Sequence, residues 1–341
     1  MAADGDHIRR FNYNYTGVDD EVPRDATHVT VDASVAVIRR DTFDGHPNIV
    51  EVICDENVKK VEEYALACFP CLRRVVMLGV EVVEYRAFDS CEALTHVECG
   101  KLEVIKFQAF GNCTSLGNID LPSARIVEGN AFNYCRTLTD VTFGSELERI
   151  EEAAFYDCPS LERITIPLKD GIIAAAILFI GCDNLKQVDL VEGQIHETIA
   201  ALQLEEWRND MNEEIDSINQ ILPTASAGRW GHVVGDKARV IRAWIRSVLG
   251  KIIHYKAQHQ RLLDEAATSL QLALPRDIVM NNVLPFLELS SYAFELEDEE
   301  EEEESNDGNG RREIGINWHW RSFNCCWIPC CRIWIPCKGG F

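Results

Sequence analysis

The sequence predicts an α+β solenoid, a stack of about seven coils of 22–24 residues followed by a helical region and a disordered acidic tail. Two observations predict it. One apolar unit recurs at a nearly constant interval through the first two hundred residues, and after Val188 the interval fails and helical spacing replaces it.

The unit places Phe, Cys, Leu and a β-branched residue three positions apart. Phe88, Cys91, Leu94 and Val97 form one copy, in AFDSCEALTHV. Phe110, Cys113, Leu116, Ile119, then Phe132, Cys135, Leu138, Val141, then Phe155, Cys158, Leu161, Ile164 repeat it. Looser copies begin at Phe43, Leu66 and Phe179, so the steps between leading residues are 23, 22, 22, 22, 23 and 24. Five residues before each leading Phe stands another apolar residue, such as Val83, Ile105, Val127 or Ile150.

One coil is expected to contain a short strand and a compact turn. It cannot bury its apolar side alone, so stacked neighbours must supply the core. In LTHVEC, strand alternation turns Leu94, Val97 and Cys99 inward and leaves His96 and Glu98 facing solvent. HVTV around Val29 supplies a starting half-coil, which leaves residues 1–25 as a leader of uncertain order and 26–192 as the repeat domain.

The pattern AFxxCxxLxxV at this period resembles the Treponema-type, or BspA-like, leucine-rich repeats, over roughly residues 26–192. It lacks the LxxLxLxxN pattern of plant-type repeats. The resemblance implies a right-handed solenoid with an interaction role, and it carries no catalytic residue across. The repeats followed by YKAQHQRLLDEAATSLQLALPRDIVMNNVLPFLEL are also similar to uncharacterised repeat proteins of diatoms.

Residues 193–290 form the helical region. From Ile195 to Leu222 the apolar spacing is that of an amphipathic helix, which Pro223 ends. A second helix is expected from about Asp236 to Ala273. The pair suits a hairpin, a cap on the last coil, or oligomerisation through a coiled coil, and capping fits best because terminal coils of solenoids need cover. PRDIVMNNVLPFLEL weakly resembles the opening of an F-box, which makes a ubiquitin-ligase adaptor one alternative function.

Residues 291–341 form the tail. Nine of the ten residues from Glu295 to Glu304 are acidic, and such a block repels itself and stays unfolded. The final WHWRSFNCCWIPCCRIWIPCKGGF is rich in Cys and aromatic residues but too short to span a bilayer.

Charge and composition exclude several functions. With 33 basic against 56 acidic side chains the net charge is −23, which argues against bulk attraction to nucleic acid or anionic membranes. The exception is local. Between Arg229 and Arg261 lie eight basic residues and one acid, so nucleic-acid or anionic-surface binding through this helix is a second alternative, set against a solvated face or a clasp with the acidic run. MAADGDHIRR lacks the apolar core of a signal peptide, which points to the cytosol or nucleus and to reduced cysteines.

No phosphate loop, GxSxG elbow or HExxH helix occurs, so the expected protein is not an enzyme and needs neither cofactor nor metal. The Cys91, Cys113, Cys135, Cys158 and Cys182 column reads as a packing slot, because Phe69 and His46 occupy it elsewhere. Cys68 and Cys71, in CFPC, fall in columns otherwise held by Gly45, Ser90 and Asn112 and by Asn48, Ser115 and Thr137, which marks them as turn surface; a lone CxxC could also be redox-active or half a zinc site, although the thioredoxin strand and helix context is lacking.

The expected function is a protein-interaction scaffold whose partner binds the outward side of the strands. The residues before each central β-branched position are Glu51, Arg74, His96, Asn118, Asp140 and Arg163; those after it are Ile53, Val76, Glu98, Asp120, Thr142 and Thr165. Most are polar and change in character from coil to coil. Ile53 and Val76 beside Arg74 are expected to form an apolar anchor with a charged neighbour.

Overall fold

Most coils carry two strands, a long one and a two-residue one. The computed structural model describes residues 10–271 except 18–19, 175, 192, 201, 203 and 224–235. In it the outward columns lie on long strands, and the apolar residue five positions before each leading Phe lies on a second, two-residue strand. The repeat pattern alone predicts only the first. Every pairing is parallel.

The long strands form one sheet from Asn12–Tyr15, His28–Val31, Glu51–Cys54, Arg74–Val76 and His96–Glu98, and another from Asn118–Leu121, Asp140–Phe143, Arg163–Ile166 and Gln187–Leu190. Across the break between them the Cys99 thiol donates to the Asp120 carbonyl oxygen at 3.3 Å. The first strand lies in the leader and extends the sheet by pairing with His28–Val31. The short strands, from Val37–Ile38 to Arg149–Ile150, form a six-stranded sheet.

Between the sheets the repeat unit becomes the core. Phe88, Phe110, Phe132, Phe155 and Phe179 stack in one column with ring centroids 5.0–6.0 Å apart. The leucines that follow them and the central β-branched residues of the long strands, such as Val97, Ile119 and Val141, are buried. Each buried side chain of this size contributes about 2 kcal/mol.

Two left-handed positions flank the leading residue of each coil from Leu66 to Phe155. Cys68, Ser90, Asn112 and Tyr134 have φ of 57–61°, in the column that starts with Gly45. Tyr64, Arg86, Gln108, Asn130 and Ala153 have φ of 52–58° on the other side. This conformation costs an L-residue about 1–2 kcal/mol. It is offset because it aims backbone N–H groups along the stack: Cys68 N–H donates to the Asp89 carbonyl and Ser90 N–H to the Gly111 carbonyl, both at 2.8 Å. At Gly144 even a Cβ is excluded, since it would lie 1.9 Å from the Pro122 carbonyl oxygen.

After the last long strand come α1 (Gln194–Ala200), α2 (Glu205–Ile221) and α3 (Lys237–Gln271). The helical pattern from Ile195 to Leu222 is therefore divided, because Leu204 is extended (φ −95°, ψ 132°) and begins α2 afresh. Trp207 stacks on Tyr255, Asp210 meets Lys251 and the Glu214 carbonyl accepts from Trp244, so α2 and α3 run antiparallel. Both touch the last coil. Asn219 Oδ1 accepts the Val188 N–H at 2.9 Å, which satisfies an edge donor of the final strand. Lys237, 2% exposed, donates to the carbonyls of Cys182, Asp183 and Leu185. Among the described residues no helix is long and apolar enough to cross a membrane.

Candidate functional site

Parallel pairing puts the outward residues into two rows. In the first row Glu51, Arg74 and His96 are consecutive partners, as are Asn118, Asp140, Arg163 and Gln187. In the second row Ile53, Val76 and Glu98 are partners, as are Asp120, Thr142, Thr165 and Asp189. The residues between the rows, from Val52 to Val188, are buried. Each row follows from the period-two alternation of a strand repeated at a constant interval.

Two arginines organise the charges. Arg74 reaches Glu51 at 2.8 Å and Glu98 at 2.7 Å, and His96 Nε2 lies 2.7 Å from the same Glu98 oxygen. The His96 ring and the Arg74 guanidinium hold the Glu98 carboxyl below its ordinary range. Arg163 sits 3.6 Å from Asp140 and 3.7 Å from Asp189, a looser arrangement. Between the two groups Asn118, Asp120 and Thr142 are exposed.

The expected apolar anchor is reduced to one residue. Ile53 is half-exposed, but Val76 retains only 9% of its surface. Its cross-strand neighbour Glu98 is drawn to Arg74, two residues away on Val76's own strand.

The remaining candidate groups are placed as follows. None of the nine described cysteines is in a disulfide. In the buried column each thiol donates to the carbonyl of the leading residue one coil earlier: Cys91 to Leu66 at 2.9 Å, Cys113 to Phe88 at 3.3 Å and Cys135 to Phe110 at 3.2 Å. His46, which replaces Cys in an early coil, lies 2.7 Å from the Val22 carbonyl in the same way. Burial pushes the thiols of Cys91 and Cys135 up to about 12 and that of Cys113 well above its ordinary value. Cys68 and Cys71 are half-exposed in the turn. No group of three or more metal-ligating side chains occurs among the described residues.

Three of the eight residues in the basic stretch serve the fold. Lys237 caps the last coil, Arg246 pairs with the buried Asp170, and Lys251 pairs with Asp210 and Glu214. Spacing could not separate these from a solvated basic face. The F-box-like helix, the acidic run with its clasp, and the C-terminal cysteines lie outside the described residues.

A family model for the BspA type leucine-rich repeat region matches residues 24–126 and 103–201, with six copies. The chain belongs to the BspA-type leucine-rich repeat family. Solved structures resemble this BspA-type chain over about half its length. A leucine-rich repeat protein of T. pallidum is 23% identical over 48% of this chain and 68% of its own, with a TM-score of 0.34. One from Bacteroides ovatus is 18% identical over 50% and 47%, with a TM-score of 0.32. The pneumococcal vaccine antigen PcpA is 14% identical over 53% and 66%, with a TM-score of 0.25. No curated protein matches the chain. The similarity to diatom repeat proteins finds no support in these matches.

Proposed function

We propose that this BspA-type repeat protein is a non-catalytic scaffold that binds a partner protein through the outward rows of its long strands. The observation that supports this reading best is the register. Side chains at Glu51, Ile53, Arg74, His96, Glu98, Asn118, Asp120, Asp140, Thr142, Arg163 and Thr165 stand at fixed spacing on a backbone held by inter-coil hydrogen bonds. Val76, nearly buried, presents little surface to a partner. Seven strands ~4.8 Å apart give a face about 30 Å long, enough for a protein interface of ordinary size. The strand backbone that carries them is ordered before binding, so it loses little entropy on association. The cytosol or nucleus suits this role, since the buried thiols remain reduced there.

The engagement of Lys237, Arg246 and Lys251 inside the molecule weakens the nucleic-acid alternative. Proximity labelling in native cells, followed by a hydrogen-exchange footprint of the purified complex, tests the proposal. Protection of the strands Asn118–Leu121, Asp140–Phe143 and Arg163–Ile166 is expected. Protection confined to α2 and α3 would move the binding surface to the helices.

A further inference from the structure

The run of long strands has two ends, and the fold closes only one of them. At the last coil Asn219 Oδ1 accepts the Val188 N–H at 2.9 Å, and Lys237 takes up the carbonyls of Cys182, Asp183 and Leu185. At the first coil the strand Asn12–Tyr15 pairs, among the described residues, with His28–Val31 alone.

The register decides which main-chain groups this leaves over. His28 N–H donates to the Phe11 carbonyl at 3.0 Å and Asp32 N–H to the Tyr15 carbonyl at 2.9 Å. Alternate residues of a parallel ladder face the same neighbour, so Phe11, Tyr13 and Tyr15 turn their main chain toward His28–Val31. Asn12, Asn14 and Thr16 turn theirs the other way. The Thr16 N–H is taken by the Asp20 carboxylate at 2.8 Å. Asn12 and Asn14 are exposed, and their N–H and C=O groups have no partner among the described residues.

This edge is also unguarded. Water-exposed strand edges are ordinarily blunted by lysine, proline or a bulge, and Asn-Tyr-Asn-Tyr contains none of these. On the core side Tyr15 packs edge-on against Phe43 with ring centroids 5.6 Å apart, but Tyr13 is half-buried and Phe11 is 39% exposed. The end of the apolar core therefore shows beside the open edge, where a solenoid needs cover.

The symmetry of the edge selects the occupant. The two open residues stand on either side of Tyr13, so a second copy of the strand laid antiparallel about Tyr13 brings Asn12 of each copy opposite Asn14 of the other. Each of these pairs exchanges both of its main-chain hydrogen bonds. Tyr13 then meets Tyr13, and Phe11 meets Tyr15, on the core side. Beyond them Arg10 comes opposite Thr16, where the Asp20 carboxylate stands on the edge, held by the Thr16 N–H and Oγ1 at 2.8 and 3.0 Å. Hydrogen bonds from Tyr13 and Thr16 hold this carboxyl below its ordinary range, so it meets Arg10 as an anion. Head-to-tail stacking is closed off, since α2 occupies the edge of Gln187–Leu190 through Asn219.

We propose that two copies of this chain pair end to end through Asn12–Tyr15, antiparallel about Tyr13. The two-fold axis stands normal to the sheet, so the outward rows of both copies lie on one side and form a single face of doubled length. A dimeric or repetitive partner could engage both halves at once. That consequence rests on the proposed function, whereas the pairing itself does not. The strands are short, which makes the dimer weak and concentration-dependent.

Sedimentation velocity of the full chain over about 1–100 µM, the range of small transient interfaces, tests the pairing. A monomer–dimer equilibrium is expected, without higher species, because the contact closes on itself. Asn14→Pro removes an N–H that the described chain does not use, and should weaken the dimer about tenfold or more at a nearly unchanged melting temperature. Arg10→Glu sets like charges opposite each other and should weaken it similarly. Cysteine crosslinking reads the register. Tyr13→Cys should give a covalent dimer on mild oxidation, because opposed residues of a non-hydrogen-bonded pair lie ~4.5 Å apart between Cα atoms. Asn12→Cys should give none beyond the wild-type background, since Asn14 and not Asn12 of the other copy lies opposite it. Sedimentation as a monomer throughout would overturn the proposal. A dimer indifferent to both Asn14→Pro and Arg10→Glu, or crosslinking of Asn12→Cys as strong as that of Tyr13→Cys, would overturn it too. Should Asn14→Pro lower the melting temperature, Arg10→Glu and the crosslinks decide.

Discussion

Lys237 Nζ donates to the Leu185 carbonyl oxygen at 2.7 Å and so ties the first turn of α3 to the last turn of the solenoid. The same ammonium serves Cys182 at 2.7 Å and Asp183 at 3.2 Å. Burial pulls its pKa below the ordinary lysine value, so its hydrogen bonds have to compensate for lost water. Replacement by an apolar chain of similar length, Lys237→Met, removes every one of these donors. Stability should fall by about 2 kcal/mol in urea titration. Hydrogen exchange should quicken in the last coil and not around Phe88.

The thiol column gives a second expectation. Cys113→Ala removes one sulfur from a fully buried slot and a weak bond to the Phe88 carbonyl, which the Cys91 N–H still reaches at 3.3 Å. A cost of about 1 kcal/mol follows from the small cavity. Unchanged stability, or a bound metal lost with this cysteine, would contradict the packing role.

Alkaline pH should unfold the solenoid. The thiols of Cys54, Cys91, Cys99 and Cys135 are raised by burial from 9.0 to about 12. A pKa raised in the folded state means that the unfolded chain loses its protons first. The stabilisation is therefore complete below pH 9 and declines from there toward 12. Each thiol should contribute a loss of about 1.4 kcal/mol per pH unit within that window. Urea midpoints at pH 8 and pH 10 check this, and equal midpoints would argue against deeply buried thiols.

The legibility of these features differed for physical reasons. The outward rows could be read because a constant interval and strand alternation together determine register, as from Asn118 through Asp140 to Arg163. The short strands were hidden, since two residues such as Val82 and Val83 show no alternation. The left-handed column at Tyr64, Arg86 and Ala153 was hidden too, because these residue types do not advertise that conformation and only the inter-coil hydrogen bonds hold them there. Lys237 looked like one charge in a solvated run, although it is almost fully enclosed. Val76 looked like an exposed anchor because alternation places it outward, whereas it keeps only 9% of its surface.

The most direct measurement of the central claim is capture of the labelled partner by full-length protein carrying Asp120→Lys together with Arg163→Glu. Asp120 and Arg163 are exposed on the long strands, and Arg163 has only loose ion pairs, so the melting temperature should stay nearly unchanged. The account predicts that affinity falls by about tenfold or more. Capture at full affinity by this folded variant would contradict the strand face as the binding surface.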